Sequence, residues 1–316
     1  MAPFAAAPRV QTKPVRRRLH WPSCTIGQVN IQLLSDLHLE SNPHFRPTPL
    51  LGADVLVLAG DIGSYQKGSL LTEMAIEDFG LARFSPLPVA CGGAGWPTPV
   101  LFVPGNHEYD GLEFEQANAR LRASCQRLGL IWLDRQSVVL GGVRFVGCTL
   151  WADFDALTRC QAGPDQTRAG ATPLAEQLRM RDKAFRAANF YLKKNHALRH
   201  GQPMLAEDMR EVSLTSQAWL RNALALPFDG PTVAVTHFAP SLLSADPRYG
   251  ITPGTAGFCN SLDDLLPLAK VWMHGHLHCP NDYVQHGCRV VANPLGYARK
   301  EEQQAFRPSL LVEVCQ

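Results

Sequence analysis

The sequence predicts a layered α/β fold, with β-sheets inside and helices outside. Short runs rich in Val, Leu and Ile alternate with stretches that can form helices along most of the 316 residues. Each of the first three apolar runs leads directly into a polar cluster, and ligand sites gather at such carboxyl ends of strands in open α/β sheets. An apolar content of 46% at this length is sufficient for one large domain with a substantial core.

The N-terminal half begins with apolar runs bounded by Gly, Asp or Pro. They predict buried strands at residues 29–34, 54–59 and 99–103. Between the second and third strands, residues 69–84 can form a helix. The Pro- and Gly-rich residues 85–99 indicate a surface loop.

A second helix is predicted at residues 113–128, followed by more strand-like runs. These runs predict strands at residues 131–133, 137–140 and 143–148. Gly141 and Gly142 stand between the last two, which predicts a hairpin turn.

Residues 155–230 differ from the rest because they are rich in Ala, Leu, Arg and Lys. They predict a helical insertion, with helices at about 173–200 and 216–226. The strand pattern then returns at residues 232–236, 271–273, 289–292 and 310–314. The irregular residues 1–28 predict a flexible N-terminal extension, so the folded domain is expected to span residues 29–316.

Composition and charge narrow the function classes. A net charge of +2 is far from that of a dedicated nucleic-acid-binding protein, so nucleic acid is disfavoured as a partner. No apolar run approaches the roughly 20 residues that cross a bilayer, and the N-terminus lacks the apolar stretch of a secretory signal. Nine cysteines without a Cys-x-x-Cys pair indicate free thiols in a reducing compartment. We expect a cytoplasmic protein without a membrane partner.

Five polar clusters at the ends of predicted strands carry residue types that bind metals. They are Asp36-Leu37-His38, Gly60-Asp61, Gly105-Asn106-His107-Glu108, Thr236-His237 and His274-Gly275-His276-Leu277-His278. Each cluster alone has an ordinary structural explanation, since a lone buried histidine is more often part of a core than a ligand. Together they supply carboxylate, imidazole and amide groups, a set suited to divalent Mn, Fe, Co, Ni or Zn. Two such ions about 3.5–4 Å apart need a shared anionic ligand, so one aspartate is expected to bridge them.

The order of these clusters resembles the signature of calcineurin-like metallophosphoesterases. The resemblance spans residues 31–297, and every metal-binding position of the signature is filled. It implies a central β-sandwich flanked by helices and a pair of divalent ions, with Mn²⁺ expected and Fe, Zn, Co or Ni as alternatives. The implied ligands are Asp36, His38 and His278 for the first ion, Asn106, His237 and His276 for the second, and Asp61 for both.

The resemblance also implies a mechanism. Two ions that share a water lower its pKa toward about 7, so a hydroxide bridging them is expected to attack phosphorus. His107 is expected to contact the phosphate or its leaving group, and Asn106 and His237 are expected to bind substrate as well. If His107 is protonated, it can donate to the departing oxygen, a contribution of about 10²–10⁴-fold. His107 and Asp61 are therefore the predicted catalytic residues.

Differences between this sequence and related groups of enzymes narrow the predicted class of substrate. Protein phosphatases of this superfamily continue Gly-Asp with a second Asp and an Arg, and purple acid phosphatases place a tyrosine ligand where this chain has Ser64. Too few residues follow His278 for the DNA-capping domain of repair nucleases. The prediction is a hydrolase of a small soluble phosphate ester, with a phosphodiester expected. A nuclease and a non-catalytic binding module of the same fold are the alternatives, and the oligomeric state stays open.

Overall fold

Thirteen strands lie within the residues that the computed structural model describes, which are 27–88, 94–159, 173–193 and 197–315. In chain order they are β1 (Gln28–Leu34), β2 (Val55–Ala59), β3 (Val100–Val103), β4 (Ile131–Trp132), β5 (Gln136–Leu140), β6 (Val143–Cys148), β7 (Leu198–Arg199), β8 (Gln202–Pro203), β9 (Thr232–Thr236), β10 (Val271–His274), β11 (Asn281–Gln285), β12 (Cys288–Ala292) and β13 (Leu311–Cys315).

Two mixed sheets contain most of these strands. The first has the order β13-β1-β2-β3-β4, in which β1 to β4 are parallel and β13 is antiparallel to β1. The second has the order β11-β12-β10-β9-β6-β5, with a parallel centre and antiparallel strands at both edges. β7 and β8 form a separate ribbon. The layered α/β fold with a central β-sandwich is therefore confirmed.

Alternation of side chains along the strands explains why the two sheets pack together. In β2, Val55, Val57 and Ala59 belong to the core between the sheets, whereas Leu56 and Leu58 belong to the core under the helices. All five side chains are buried. A strand with two buried faces needs an unbroken apolar run, which is the pattern that predicted these strands.

Helices cover the outer faces of the sandwich. They are α1 (Leu70–Glu73), α2 (Phe114–Leu128), α3 (Ala156–Arg159), α4 (Leu174–Leu192) and α5 (Ala206–Ala225), joined in places by short 3-10 segments. α4 packs against the 3-10 segment Pro253–Gly257, close to the end of the sandwich where the polar clusters lie. No described helix is both long and apolar enough to cross a membrane.

A buried polar network holds α5 against the core. The Nε2 atom of Gln217 donates to Asp153 Oδ2 at 3.0 Å and to Asn260 Oδ1 at 3.1 Å. Asn260 in turn donates from Nδ2 to the Trp151 backbone oxygen at 2.8 Å. Because Asp153, Gln217 and Asn260 are at most 5% exposed, water does not replace a lost donor easily.

The single helix predicted at residues 69–84 is wrong. Only Leu70–Glu73 is α-helical, and the 3-10 segment Asp78–Phe84 follows after a break. The backbone has positive φ at Ala75, Asp78 and Phe79, which a continuous right-handed helix does not accommodate. The Tyr65 hydroxyl stabilises this break, since it accepts from the Phe79 backbone nitrogen and donates to the Ile76 carbonyl.

The other differences concern element ends and three strands that were not predicted, of which β7 and β8 have two residues each. The helix predicted at 173–200 ends at Leu192, and the one predicted at 216–226 begins already at Ala206, where Asp208 accepts from the Leu205 backbone nitrogen. Strand β11 was not predicted because its half-exposed, polar sequence has no apolar run. The predicted extension, residues 1–28, lies outside the described residues except for Gly27 and Gln28, and Gln28 opens β1.

Replacing Gln217 with Leu is expected to lower the free energy of unfolding by about 1–3 kcal/mol, because two buried acceptors lose a donor. Urea denaturation measures this change. The same substitution at Gln116, which is exposed on α2, is the matched control and should change stability by less than about 0.5 kcal/mol. Equal effects at both positions would contradict the role given to the network.

Candidate metal centre

The carboxyl ends of the central parallel strands meet at one end of the sandwich and bring the five polar clusters together. The predicted ligands follow these strands: Asp36 and His38 after β1, Asp61 after β2, Asn106 after β3, His237 after β9, and His276 and His278 after β10. Backbone hydrogen bonds join the loops, from Asp36 N to Gly60 O at 2.9 Å and from Gly275 N to His237 O at 3.0 Å.

The ligand atoms form two groups that share Asp61. The first group contains Asp36, His38, Asp61 and His278, and the second contains Asp61, His237 and His276. Within each group, one ligand atom of every residue lies within 4.8 Å of the others. Asn106 adjoins the second group, because its Oδ1 lies 3.2 Å from His237 Nε2. All seven predicted ligands thus converge, in an arrangement suited to two neighbouring ions.

In the first group, the Nε2 atoms of two imidazoles face each other. His38 donates from Nδ1 to Glu40 Oε1 at 2.8 Å, and His278 donates from Nδ1 to Glu302 Oε2 at 2.7 Å. When both rings are in the neutral form that binds metals, each has one N–H, and the Nε2 atom of each ring then carries a lone pair. These two Nε2 atoms are 2.9 Å apart. Two lone pairs at this distance repel each other unless a cation binds both.

The second group has the same electrostatic character. His237 donates from Nδ1 to the Ala59 carbonyl at 2.9 Å, so Nε2 is the nitrogen that faces Asp61 Oδ2 and Asn106 Oδ1, both at 3.2 Å. Burial alone would lower the pKa of His237, but the Asp61 carboxylate raises it to about 9. This position therefore attracts positive charge. Burial and the neighbouring His237 hold the pKa of His276 well below its usual value, which keeps that ring neutral, as metal binding requires.

Unsatisfied polar atoms in both groups also fit a metal. Asp36 Oδ2, Asp61 Oδ2 and His276 Nε2 are buried and have no hydrogen-bond partner among the described residues. A buried carboxylate without compensating contacts is costly, and coordination of a cation supplies the missing contact. Oxygen and imidazole donors without thiolate suit divalent first-row metals. The residues present therefore fit the metal ions that the sequence predicted, although the identity of the ions is not fixed by geometry.

Backbone geometry brings the ligands this close. Several ligand residues have left-handed φ values between 45° and 74°: Asp36, His38, Asp61, His276 and His278. Such conformations cost about 1–3 kcal/mol each and persist only where the surroundings enforce them. The adjacent glycines are required by close approach, because a Cβ at Gly105 would collide with the Asp61 carboxylate and one at Gly275 with that of Asp36.

Glu108 fastens the two loops that carry Asp61 and Asn106. Its carboxylate accepts from the backbone nitrogens of Ile62 at 2.5 Å, Gly105 at 2.7 Å and Asp61 at 3.1 Å. Burial and the nearby Asp61 carboxylate raise the pKa of Glu108 to about 8. Glu108 is fully buried, so its role is to hold the loops and not to contact substrate.

His107 lies beside the ligand groups but belongs to neither. Its Nε2 is 4.0 Å from Asp61 Oδ2, and its side chain is 24% exposed, whereas His38 and His237 are fully buried. Its Nδ1 contacts Asp110 Oδ2 at 2.5 Å. Because Asp110 occupies Nδ1, Nε2 is the nitrogen available to the cavity in front of the site. His274 is also not a ligand here, since its ring nitrogens contact Ser244 Oγ and the Gly275 carbonyl.

Three carboxylates that orient histidines were missed by the sequence analysis, and they are Glu40, Asp110 and Glu302. Such partners fix the tautomer and orientation of a ligand ring and raise its basicity. Glu40 and Asp110 stand two and three residues after their histidines, a spacing that could have identified them. Glu302 is 24 residues beyond His278, and nothing in the sequence marks it. It also accepts from the backbone nitrogen of Tyr297, whose ring packs 4.2 Å from that of His38.

A cavity of about 780 Å³ opens in front of both groups. Its volume lies within the range of small-molecule sites, about 300–1,000 Å³. Asp61, Asn106 and His107 form its floor, and the segments 246–258 and 297–302 form much of its wall. Tyr191 and Leu192 at the end of α4 complete it, so the predicted helical insertion contributes to the cavity.

Comparison with known proteins agrees with this geometry. A family model described as calcineurin-like phosphoesterase matches residues 30–280. An uncharacterized protein of Acanthamoeba polyphaga mimivirus is 22% identical over 231 residues, which cover 69% of this chain and 74% of that protein. The crystal structure of the phosphopantetheinyl hydrolase PptH from Mycobacterium tuberculosis is similar with a TM-score of 0.62 at 19% identity. That match covers 91% of this chain and 96% of the other, and it shows a shared fold.

Replacing Glu302 with Gln is expected to weaken Mn²⁺ binding by about 10–100-fold, because His278 loses the negative charge that raises its basicity. Isothermal titration calorimetry measures the affinity. Glu301, the exposed neighbour, offers a matched control, since Glu301→Gln makes the same charge change without touching a histidine. An unchanged affinity in Glu302→Gln would show that His278 needs no such partner.

Proposed function

This chain belongs to the calcineurin-like phosphoesterase family, and we propose that it is a hydrolase that uses two divalent ions to cleave a small phosphate ester, with a phosphodiester as the substrate. The observation that carries the proposal is the shared position of Asp61. Its carboxylate is buried, belongs to both groups of ligand atoms and leaves Oδ2 without a hydrogen-bond partner among the described residues. A shared anionic ligand is what two adjacent divalent ions require.

The proposed ligands are divided between the two ions. We assign Asp36, His38 and His278 to the first ion, Asn106, His237 and His276 to the second, and Asp61 to both. When bound, the ions would supply Lewis acidity and a water of lowered pKa; Mn²⁺ is the expected ion, and Fe, Zn, Co or Ni have similar preferences. Asn106, His107 and His237 border the space where the phosphate would lie.

His107 is the proposed proton donor to the leaving oxygen. Asp110 contacts its Nδ1 and so orients the ring, which leaves Nε2 at the floor of the cavity. A proton delivered from Nε2 neutralises the alkoxide as the bond to phosphorus breaks. Because His107 is outside both ligand groups, its loss should affect proton transfer more than metal binding.

The charges around the cavity favour a diester over a monoester. A phosphomonoester carries close to two negative charges at neutral pH and a diester carries one. Among the described residues that line the cavity, the cationic side chains besides the proposed proton donor His107 are Arg248 and Lys300. Arg248 is paired with Asp246 at 2.6 Å, and Lys300 lies 3.9 Å from Glu302. Both cations are therefore already partly neutralised, which suits the less charged ester.

Two alternative functions remain as proposals, namely a non-catalytic binding module and a nuclease. A non-catalytic binding module would be expected to lack ligands, but all seven predicted positions are occupied by suitable residues. A nuclease would be expected to present a basic surface, for which a net charge of +2 offers little support. A steep salt dependence of nucleic-acid binding would favour the nuclease. A cytoplasmic location and the lack of a membrane partner stay predictions from the sequence.

Purified protein with Mn²⁺ is expected to hydrolyse bis(p-nitrophenyl) phosphate faster than p-nitrophenyl phosphate. Cyclic nucleotides, a phosphopantetheinyl ester and single-stranded DNA complete the set of substrates. Asp61→Asn should lose bound metal and activity together. His107→Ala should keep its metal and lose about 10²–10⁴-fold in turnover of the cyclic nucleotides, whose departing alkoxide needs a proton, and less with the p-nitrophenyl esters, whose leaving group departs without one. Metal content is measured by atomic emission.

His286→Ala is the control for these variants, because His286 is exposed, lies between β11 and β12, and belongs neither to the groups of ligand atoms nor to the residues that line the cavity. It should match the unmodified protein in metal content and rate. Full activity in Asp61→Asn or in His107→Ala would remove the proposed mechanism, and cleavage of DNA alone would replace it with the nuclease.

A further inference from the structure

A small apolar recess branches from the main cavity beneath the helical insertion. Its volume is about 50 Å³, compared with about 780 Å³ for the main cavity. The two spaces share four lining residues, which are Asn106, Tyr191, Leu192 and His276. Asn106 and His276 belong to the second group of proposed ligands, so the recess opens directly beside the place where the phosphate would lie.

The deep walls of the recess are hydrocarbon and aromatic. They are formed by Trp151, Ala197, Met204, Met209 and Phe238, all of which are buried. Trp151 and Phe238 follow strands of the sandwich, whereas Met204 and Met209 come from the insertion and the start of α5. Asp110 also borders the recess, but its carboxylate is occupied by His107. A polar group that entered would lose its hydrogen bonds to water, so the recess selects apolar groups.

The size of the recess limits what it can hold. One water-sized group needs about 10–15 Å³ of such volume, so about 50 Å³ accommodates roughly three or four carbon atoms in a row. The main cavity is large enough for a substituent of nucleotide or drug size. The two spaces therefore differ in both capacity and polarity.

We infer that the substrate is a phosphodiester with unequal arms, in which a short apolar ester group of up to about four carbons fills the recess and a larger group lies in the main cavity. This inference rests on the proposed phosphoesterase function and adds to it the class of substrate. A short linear alkyl group fits the recess, whereas an aromatic ring or a charged group has to stay in the main cavity, which is large enough to hold both arms of an aromatic diester.

The position of His107 decides which arm leaves. His107 lines the main cavity and is not among the residues that line the recess. The oxygen that accepts its proton is therefore the one bonded to the larger arm. Water adds its oxygen to phosphorus, the bond from phosphorus to the larger arm breaks, and the departing oxygen receives a proton. The products are the larger alcohol and a short-chain alkyl phosphate, and the second proton of the water is released to solvent.

A series of alkyl p-nitrophenyl phosphates tests the inference, with the Mn²⁺-loaded full chain and alkyl groups from methyl to octyl. The p-nitrophenyl group represents the larger arm. We expect kcat/KM to rise about fourfold for each added methylene, which corresponds to about 0.8 kcal/mol, until about propyl or butyl. Longer chains exceed the recess, so kcat/KM should then fall.

Two variants change the size of the recess in opposite directions. Met209→Ala enlarges it and should move the best chain length upward by about two or three carbons, whereas Ala197→Val reduces it and should move the optimum downward. Leu220→Ala is the matched control, since Leu220 is a buried residue of the same helix as Met209 but is not among the lining residues. It should leave the optimum where it is.

The outcomes separate this inference from the proposed function. A flat dependence on chain length, or an optimum that Met209→Ala and Ala197→Val do not move, would overturn the assignment of the recess while leaving the phosphoesterase intact. A shift of equal size in Leu220→Ala would also overturn it, because loosening of α5 would then be the cause. If no ester is hydrolysed, including both p-nitrophenyl compounds, the proposed function fails and this inference fails with it.

Discussion

Close approach of ligand atoms at the end of the sandwich is the constraint on which this structure depends. The Nε2 atoms of His38 and His278 meet at 2.9 Å, and the buried Asp61 carboxylate lies 3.2 Å from Nε2 of His237. Such an arrangement is unfavourable in a low-dielectric interior unless positive charge is present. The fold must therefore force these groups together, and it does so with parallel strands whose carboxyl ends meet at one place.

The sandwich can hold these groups together because packing fixes its strands, and the fixed strands support the strained loops that follow them. Both faces of β2 are buried, so the strand cannot slide or rotate without exposing apolar side chains. The loop that follows holds Asp61 at a φ of 53°, and the Glu108 carboxylate connects it to the next loop. The cost of the left-handed conformations is thus offset by packing far from the ligands.

The sequence predicted the parts that depend on local pattern. Unbroken apolar runs identified β2 and β3, since strands with two buried faces leave no polar alternation, and the clusters after β1, β2, β3, β9 and β10 supplied the seven residues that converge. Features that depend on contacts between residues far apart in the sequence were not predicted. The break after α1 depends on the Tyr65 hydroxyl, and Glu302 approaches His278 only because the chain returns after β12. The recess is lined by residues from six separate parts of the chain, so no spacing in the sequence predicts it.

The segment predicted as a helical insertion, residues 155–230, has a consequence for how such a protein can diversify. It contributes Tyr191, Met204 and Met209 to the walls of the recess, yet none of the seven predicted ligands lies within it. Mutations in the insertion therefore alter the shape offered to a substrate without moving the groups that perform the reaction. Selection can act on the two parts separately, so new substrate preferences are accessible through changes that leave the chemistry functional at every intermediate.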